Sequence, residues 1–196
     1  WRTDKPIMYY PLASWFIKTT AVKDALIANN KKINWKPEST GTGRFGQWLE
    51  NLQDWNLSRS RYWGIPLPIW RNENYNVIKC IGGVEELITE IHKANSSGLL
   101  SESQISANEK FIDKHQKEAF DLHKPYIDQV TLVENNQILV RELDVIDVWF
   151  DSGSMPYAQW GINAKNSQDF LASNKYPADF IAEGVDQTRG WFYTLH

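Results

Sequence analysis

Two apolar runs in the last third of the chain, each followed directly by a polar turn that contains glycine, constrain the fold most strongly. The first run covers residues 143–150 and is followed by the sequence DSGS. The second covers residues 178–182 and is followed by Glu183 and Gly184. Short, nearly continuous apolar runs are typical of strands that are buried on both faces. We therefore predict an α/β protein with a partial, Rossmann-like parallel sheet.

The turn after the second run carries the best candidates for a binding site. Asp186 is expected to cap a helix that begins at Gln187. Because helix starts at the carboxyl ends of parallel strands face the ligand crevice, Glu183 and Asp186 would accept hydrogen bonds there. Gln187 and Trp191 are four residues apart, so they share a helix face and could line one pocket. The alternative is an ordinary strand-to-helix corner with Trp191 in the core.

Composition limits the classes of function. A net charge of −3 over 196 residues gives no general surface for polyanions. The single cysteine, Cys80, excludes an internal disulfide and fits a reducing compartment. No apolar run approaches the length that crosses a membrane, so we expect a cytoplasmic protein without a membrane partner. The chain stops at His196 within the predicted helix, as expected of a fragment.

The ten tryptophans allow two interpretations. They could form a binding surface for carbohydrate or peptide, or they could fill a core. The indoles of the first third belong to no repeated unit, which favours the core; they are Trp15, Trp35, Trp48, Trp55, Trp63 and Trp70.

The remaining pattern predicts three segments, residues 1–70, 71–141 and 142–196. In the first we expect a strand at 14–18, a helix from Val22 to about Asn30, a loop at 35–42, a helix from Arg44 to about Trp55, and extended chain at 54–70. The second, richer in Asn, Ser, Glu and Lys, is predicted to be an inserted α+β subdomain. Its elements are a helix through 84–91, a helix from a Ser101–Gln104 capping box to about Phe120, and strands at 129–133 and 137–141 around a turn at 134–136.

The common catalytic and cofactor motifs are missing from this sequence. It contains neither GxGxxG nor a phosphate-loop lysine motif. The histidines lack ligand spacing and only Cys80 is present, so we predict no zinc site. Acids near a helix start are more often hydrogen-bond acceptors than proton carriers, so no catalytic residue is assigned. Arg59 and Arg61 would lie on one side of an extended segment, where they could hold a phosphate or form surface ion pairs.

Four stretches together resemble the catalytic region of a class I isoleucyl-tRNA synthetase. They are DWNLSRSRYWGIPLPIW at 54–70, HKPYID at 123–128, DVWFDSGSMPYAQ at 147–159 and ADFIAEGVDQTRGWFYT at 178–194. The first is shared among the large aliphatic class I synthetases, and the last two are more specific. The resemblance implies activation of isoleucine with ATP and Mg²⁺ to an enzyme-bound adenylate, followed by transfer to tRNA(Ile).

The resemblance also implies roles for individual residues. Trp149 and Trp191 match the indoles that wall the isoleucine side-chain pocket, and Gln187 matches the polar residue beside them. The segment that holds the adenylate, through its ribose hydroxyls, corresponds to three further residues: Glu183, Gly184 and Asp186.

The departures from the family pattern limit what this chain can do alone. The HIGH and KMSKS signatures are missing from the sequence, so we expect no activity from the fragment by itself. Residues 1–20 resemble the chain returning from the editing insertion. Relatives carry zinc-binding cysteines where Thr3 stands here, and only Cys80 remains of a second set. The alternatives are a valine or leucine synthetase fragment and a tryptophan-rich binding module; no oligomer is predicted.

Overall fold

The computed structural model describes residues 5–117, 121–162 and 166–196, without the side chains of 115–117. The chain divides into two compact units, the first ending at Leu57 and the second beginning at Ser58. The Thr3 position and the end of the helix predicted to reach Phe120 lie outside the described residues.

The first unit is organised by a buried asparagine. The Asn30 amide donates to the carbonyl oxygen of Gly41 at 3.0 Å and accepts from the indole N–H of Trp35 at 2.7 Å. These bonds hold the 35–42 segment against a helix, beside the buried side chains of Phe45 and Leu49. The elements are β1 (Phe16–Ile17), a 3₁₀ turn (Thr19–Val22), α1 (Lys23–Asn30), a π-helical turn (Thr40–Phe45), α2 (Gly46–Glu50) and β2 (Trp55–Asn56), with β1 and β2 antiparallel.

The core of the second unit lies between a four-stranded sheet and two helices. Its strands are β4 (Ile69–Arg71), β5 (Ile78–Cys80), β6 (Thr131–Glu134) and β7 (Gln137–Arg141), and its helices are α3 (Val84–Asn95) and α4 (Glu102–Lys117). The strand order is β5-β4-β7-β6, antiparallel throughout. Trp70, Ile91, Leu132 and Leu139 are almost completely buried in this core, and the Trp70 indole donates to the Val130 carbonyl at 2.9 Å.

Two local predictions in this unit are confirmed. Of the turn predicted at 134–136, Asn135 and Asn136 have positive φ, 50° and 56°, and close the β6–β7 hairpin as a two-residue turn requires, whereas Glu134 is the last residue of β6. At the start of α4, the Ser101 amide donates to the Gln104 side chain at 3.0 Å. The backbone N–H of Gln104 donates back to the Ser101 hydroxyl at 3.4 Å, which completes the capping box.

The β6 edge is closed by a side chain. Asn108 on α4 is fully buried. Its amide accepts from the Thr131 N–H at 3.0 Å and donates to the Thr131 carbonyl at 2.9 Å and to Asn95 at 2.8 Å. A single amide thus replaces a neighbouring strand and leaves no unpaired group of Thr131 in the core.

The last part of the second unit differs from the predicted parallel sheet. β3 (Ser58–Arg59) pairs antiparallel with β8 (Val145–Ile146), and the remaining elements are 3₁₀ turns (Ile127–Gln129, Val185–Arg189), α5 (Val148–Ala158), α6 (Ser167–Leu171) and α7 (Trp191–Leu195). The mixed α/β class is confirmed. The parallel arrangement is wrong for the described residues, because every strand pairing among them is antiparallel.

Both predicted parallel strands are corrected for physical reasons. The run 143–150 contains Asp147, whose side chain caps α5, so only Val145 and Ile146 remain extended in a ladder. Residues 178–182 form no strand and pair with no described strand, and Phe180 is 81% exposed. An apolar run becomes a strand only when another strand supplies its hydrogen bonds.

Smaller corrections concern helix boundaries. The predicted 35–42 loop becomes helical from Glu38, and the helix expected to reach Trp55 ends at Glu50. Asp186 does not cap a helix, because it lies inside the 3₁₀ turn whose N-cap is Gly184. In the described part of the chain, no helix combines the length and apolar character needed to cross a membrane.

Replacing Asn108 tests the closure of the β6 edge. Asn108→Ala leaves the N–H and carbonyl of Thr131 without partners in the core, so the free energy of unfolding is expected to fall by roughly 2–4 kcal/mol. Urea denaturation followed by circular dichroism measures the change. Glu109→Ala, an exposed position on the same helix, is the control and should change stability by less than about 0.5 kcal/mol. Equal losses in both variants would contradict the assignment.

Candidate functional site

A buried carboxylate determines where α5 begins. Asp147 is 5% exposed, and one carboxylate oxygen accepts from the backbone N–H of Trp149 at 3.2 Å. The other accepts from the Arg59 guanidinium at 2.6 Å. Asp147 therefore joins the end of β3 to the first turn of α5 and fixes the backbone of Trp149.

The Trp149 indole lies against Gly190. A Cβ atom placed on Gly190 would be 3.1 Å from Cη2 of Trp149 and 2.9 Å from Oε1 of Gln187. A larger residue at this point would force the Gln187 side chain and the Trp149 indole to shift. The indole of α5 and the amide of the 3₁₀ turn thus meet over one glycine.

Trp191 completes this cluster. Its backbone N–H, at the start of α7, donates to Oε1 of Gln187 in the 3₁₀ turn at 3.0 Å. Its indole N–H donates to the carbonyl of Ser152 on α5 at 3.1 Å. The half-buried Trp191 is therefore tied both to Gln187 and to the helix that carries Trp149.

The two helices approach closely at a second glycine. A Cβ atom on Gly153 would be 2.6 Å from the carbonyl oxygen of Thr194 and 2.8 Å from its Cβ atom. No larger residue fits here without displacing α7 from α5. Gly153 therefore sets the distance between the elements that carry Trp149 and Trp191.

The three remaining candidate residues lie on the surface, within or just before the 3₁₀ turn that carries Gln187. Glu183, Gly184 and Asp186 are exposed. The Gln187 side chain donates to a carboxylate oxygen of Asp186 at 2.9 Å, and its backbone N–H donates to the Gly184 carbonyl at 3.0 Å. A Cβ atom on Gly184 would be 2.4 Å from Oδ1 of Asp186, so a larger residue there would displace the Asp186 carboxylate. The structure thus brings Gly184, Asp186 and Gln187 together.

Sequence reasoning missed four residues of this region. Asp147 interrupts the apolar run and precedes a helix, a signal that was available. Gly153 and Gly190 carry no signal in a single sequence, because their role is a contact between distant segments. Asp151 is the fourth: its Oδ1 atom is buried and lacks a hydrogen-bond partner among the described residues. Burial raises the pKa of Asp151, and repulsion from Asp147 raises it further.

No cluster of metal-binding side chains is found in the described part of the chain. Groups of three or more histidine, cysteine, aspartate or glutamate residues in a geometry suited to a metal ion are missing there. The pKa of Cys80 lies above its usual value because of desolvation and the Glu86 carboxylate, which disfavours the thiolate that a metal needs.

Comparison with protein families identifies the class. Residues 4–196 match the family of tRNA synthetases class I (I, L, M and V). The chain belongs to this family.

Relatives within the family are similar along the whole chain. It is 61% identical to an isoleucine–tRNA ligase of Cytophaga hutchinsonii and 60% identical to one of Porphyromonas gingivalis. It is 44% identical to one of Dehalococcoides mccartyi. Each alignment covers 100% of this chain but only 16%, 17% and 18% of the respective relative. The chain therefore spans less than one fifth of the length of these synthetases.

Enlarging Gly153 tests the contact between α5 and α7. Gly153→Ala forces the Thr194 backbone to move, and the free energy of unfolding is expected to fall by about 1–3 kcal/mol. Gly43→Ala is the matched control, because this helical glycine has no neighbouring atom within 4 Å of its added Cβ. It should leave stability unchanged or raise it by up to about 1 kcal/mol. Urea denaturation decides, and equal stability of the two variants would refute the close contact.

Replacing Asp151 is expected to increase the free energy of unfolding in a pH-dependent way. Its folded-state pKa is raised, so its ionised form destabilises the fold above that pKa, and the penalty disappears below the unfolded value of 3.8. Asp151→Asn should therefore raise the unfolding free energy at neutral pH, with the gain vanishing as the pH falls below about 3.8.

Asp54, whose pKa is lowered rather than raised, supplies the control. Its carboxylate accepts from the Thr20 hydroxyl at 2.6 Å and the Thr20 N–H at 3.1 Å, which lowers its pKa. Asp54→Asn should lower stability at neutral pH, and this loss should vanish as the pH falls through the depressed pKa. Unfolding curves of the two variants, measured from neutral pH into the acidic range, test both expectations. A loss of stability in Asp151→Asn at neutral pH would contradict the prediction.

Proposed function

We propose that the chain is part of an isoleucine–tRNA ligase. The observation that carries the proposal is 61% and 60% identity, over the whole chain, to two proteins of that name. In the complete enzyme isoleucine reacts with ATP, delivered with Mg²⁺, to form an adenylate, and the isoleucyl group then passes to tRNA(Ile). The family by itself includes isoleucine, leucine, methionine and valine enzymes, so the relatives favour isoleucine over valine or leucine.

The pocket for the isoleucine side chain is assigned to Trp149, Trp191 and Gln187. Two indoles carried by adjoining helices offer the apolar surface that a branched aliphatic side chain needs. The Gln187 amide lies beside Gly190 with the Trp149 indole, and its Oε1 accepts from the Trp191 backbone N–H at 3.0 Å. Because that oxygen is engaged, the amide is held in place and the width of the pocket is defined by the two helices.

Glu183, Gly184 and Asp186 are assigned to the adenylate. The two carboxylates are exposed and suited to accept hydrogen bonds from ribose hydroxyls. Gly184 is exposed and carries no side chain, so its backbone remains accessible to a ligand. Asp186 also holds Gln187 at 2.9 Å, and the adenylate segment and the amino-acid pocket are thereby joined through one hydrogen bond.

The chain supplies binding and positioning rather than the reacting groups. The HIGH and KMSKS signatures, to which the resemblance assigns the main contacts with the ATP phosphates, are missing from this sequence. We therefore assign no catalytic residue and no zinc ion, and expect no activity from the chain alone. Residues 1–70 return from the editing insertion, 71–141 form an inserted subdomain, and 142–196 complete the catalytic core of a cytoplasmic enzyme.

The pocket limits selectivity for a physical reason. One methylene group in an apolar pocket contributes only about 1–3 kcal/mol, and discrimination of isoleucine from valine by isoleucyl-tRNA synthetases is the standard example of this limit. The pocket of Trp149 and Trp191 is therefore expected to admit valine at a reduced rate. A second selection step elsewhere in the enzyme is required.

The tryptophan-rich binding module receives little support. Such a module needs several exposed indoles in one row. Of the tryptophans that the structure describes, Trp70 is buried, Trp15, Trp35, Trp48, Trp55 and Trp191 are half-buried, and Trp63, Trp149 and Trp160 are exposed. The exposed indoles belong to separate elements, and two of them have specific partners in Gly190 and His123.

Removing the Trp191 indole tests the assignment. In the complete synthetase, Trp191→Ala should lower kcat/KM for isoleucine by roughly 10- to 100-fold in ATP–pyrophosphate exchange, because the isoleucine side chain loses apolar contact. Trp160→Ala, which removes an exposed indole after α5, is the control and should retain the wild-type rate. Wild-type exchange in Trp191→Ala would contradict the pocket.

The same assay with a panel of amino acids tests the substrate. Isoleucine should give the highest kcat/KM, and valine should be roughly 10- to 200-fold lower. Leucine or valine as the best substrate would replace the proposed function with that of a sister enzyme. Retained circular dichroism of Trp191→Ala shows that a lost rate is not a lost fold.

A further inference from the structure

The glycine between the second 3₁₀ turn and α7 lies against two of the residues assigned to the isoleucine pocket. Gly190 is buried and directly precedes Trp191. A Cβ atom added to it would be 2.9 Å from Oε1 of Gln187, and 3.1 and 3.4 Å from Cη2 and Cζ3 of Trp149. All three neighbours are side-chain atoms. The size of the residue at this position therefore affects two pocket side chains at once.

The backbone of Gly190 is hydrogen-bonded on both sides. Its N–H donates to the Gln187 carbonyl at 3.1 Å, and its carbonyl accepts from the Thr194 N–H at 3.1 Å. In the same turn Thr188 is fully buried, and its hydroxyl donates to the Val185 carbonyl at 2.6 Å. These bonds would have to break before the chain could retreat, so a larger residue at this position displaces its neighbouring side chains.

The two neighbouring side chains are themselves anchored. The Gln187 amide is bound at both ends, because Oε1 accepts from the Trp191 N–H at 3.0 Å and Nε2 donates to Asp186 at 2.9 Å. The Trp149 backbone is held by Asp147, whose carboxylate accepts from its N–H at 3.2 Å. The Trp149 ring meets the added atom with its outer edge, so the ring has to turn about its side-chain bonds to make room.

Gly153 differs from Gly190 in what a larger residue would meet. A Cβ atom on Gly153 would be 2.6 Å from the Thr194 carbonyl oxygen, so enlarging that residue moves a helix. Enlarging Gly190 instead moves the side chains that form the pocket. We propose that Gly190 is a positioning residue that sets the preference for isoleucine over valine, by leaving the Trp149 ring where it contacts the substrate. This inference rests on the proposed function.

Selectivity falls whichever way the Trp149 ring moves. One methylene group provides a discrimination of roughly 10- to 200-fold, for which isoleucyl-tRNA synthetases are the standard example, and only if the pocket wall touches it. A gap of about 0.5–1 Å loses roughly a quarter to a half of the dispersion attraction. A wall that moves inward leaves too little space for the larger substrate. Valine lacks the methylene group and therefore loses less in both cases.

Activation of both amino acids by the complete synthetase tests the proposal. In ATP–pyrophosphate exchange, Gly190→Ala should lower the ratio of kcat/KM for isoleucine to kcat/KM for valine by at least about fivefold, the lower end of what one methylene group contributes. A loss of folded enzyme lowers both rates together and leaves this ratio unchanged. The ratio therefore separates positioning of the ring from a general effect on the fold.

The sequence offers a matched control at another helix start. Gly83 directly precedes α3, as Gly190 directly precedes α7, but a Cβ atom on Gly83 has no neighbour within 4 Å. Gly83→Ala should therefore keep the wild-type ratio of isoleucine to valine. An equal fall in this variant would overturn the proposal, and so would an unchanged ratio in Gly190→Ala.

A double-variant cycle identifies the side chain through which Gly190 acts. A shift of the Gln187 amide moves no apolar wall, so the change in selectivity should pass through Trp149. Phenylalanine lacks the outer edge of the indole, so Trp149→Phe gives the methyl group room. Adding Gly190→Ala to Trp149→Phe should change the ratio by less than about twofold, against at least about fivefold in the native background. Equal changes in both backgrounds would contradict the proposal.

Two further comparisons keep the result decisive. If Gly190→Ala alone does not fold, as judged by circular dichroism, recovery of the fold in the double variant with Trp149→Phe supports the contact, and failure of the double variant to fold contradicts it. The wild-type enzyme tests the proposed function separately. A wild type that activates another amino acid best refutes that function, whereas an isoleucine-selective wild type with an unchanged ratio in Gly190→Ala refutes this inference alone.

Discussion

The carboxylate of Asp147 is the interaction on which the candidate site depends. It is buried, it compensates the charge of Arg59, and it supplies the first hydrogen bond of α5. A buried carboxylate that loses its cation leaves an uncompensated charge, which destabilises a fold by about 3–5 kcal/mol. The ion pair and the helix start are therefore coupled, because the same Asp147 side chain binds the Arg59 guanidinium and the backbone N–H of Trp149.

Two glycines, Gly153 and Gly190, lie where α5 packs against the segment around α7. With α5 fixed at Val148, Trp149 and Gly153 lie one turn apart, and they meet Gly190 and the Thr194 backbone of the segment around α7. The candidate site is thus assembled from helix starts and close contacts, not from two strand edges. At Gly153 the contact is with the Thr194 backbone, so this position cannot be enlarged without moving α7 away from α5.

The sequence predicts local patterns, but it does not predict which strands pair with each other. The Asn135–Asn136 turn, the Ser101–Gln104 capping box and the Gln187–Trp191 contact all rest on residues within four positions of each other. The parallel sheet failed because a strand needs a neighbour, and an apolar run does not identify one. The closure of β6 by Asn108 depends on a contact across 23 residues, which periodicity cannot reveal.

The two arginines of the 54–70 segment lie two positions apart but occupy different environments. In a continuous extended chain Arg59 and Arg61 would lie on the same side. The Arg61 N–H instead donates to the Arg59 carbonyl at 2.9 Å, and this tight turn ends the extended segment at once. Arg59 is consequently directed to Asp147, where its charge is neutralised, while Arg61 stays exposed beside Trp63. The turn between the two residues thus places two neighbouring guanidinium groups in different environments within three positions of the chain.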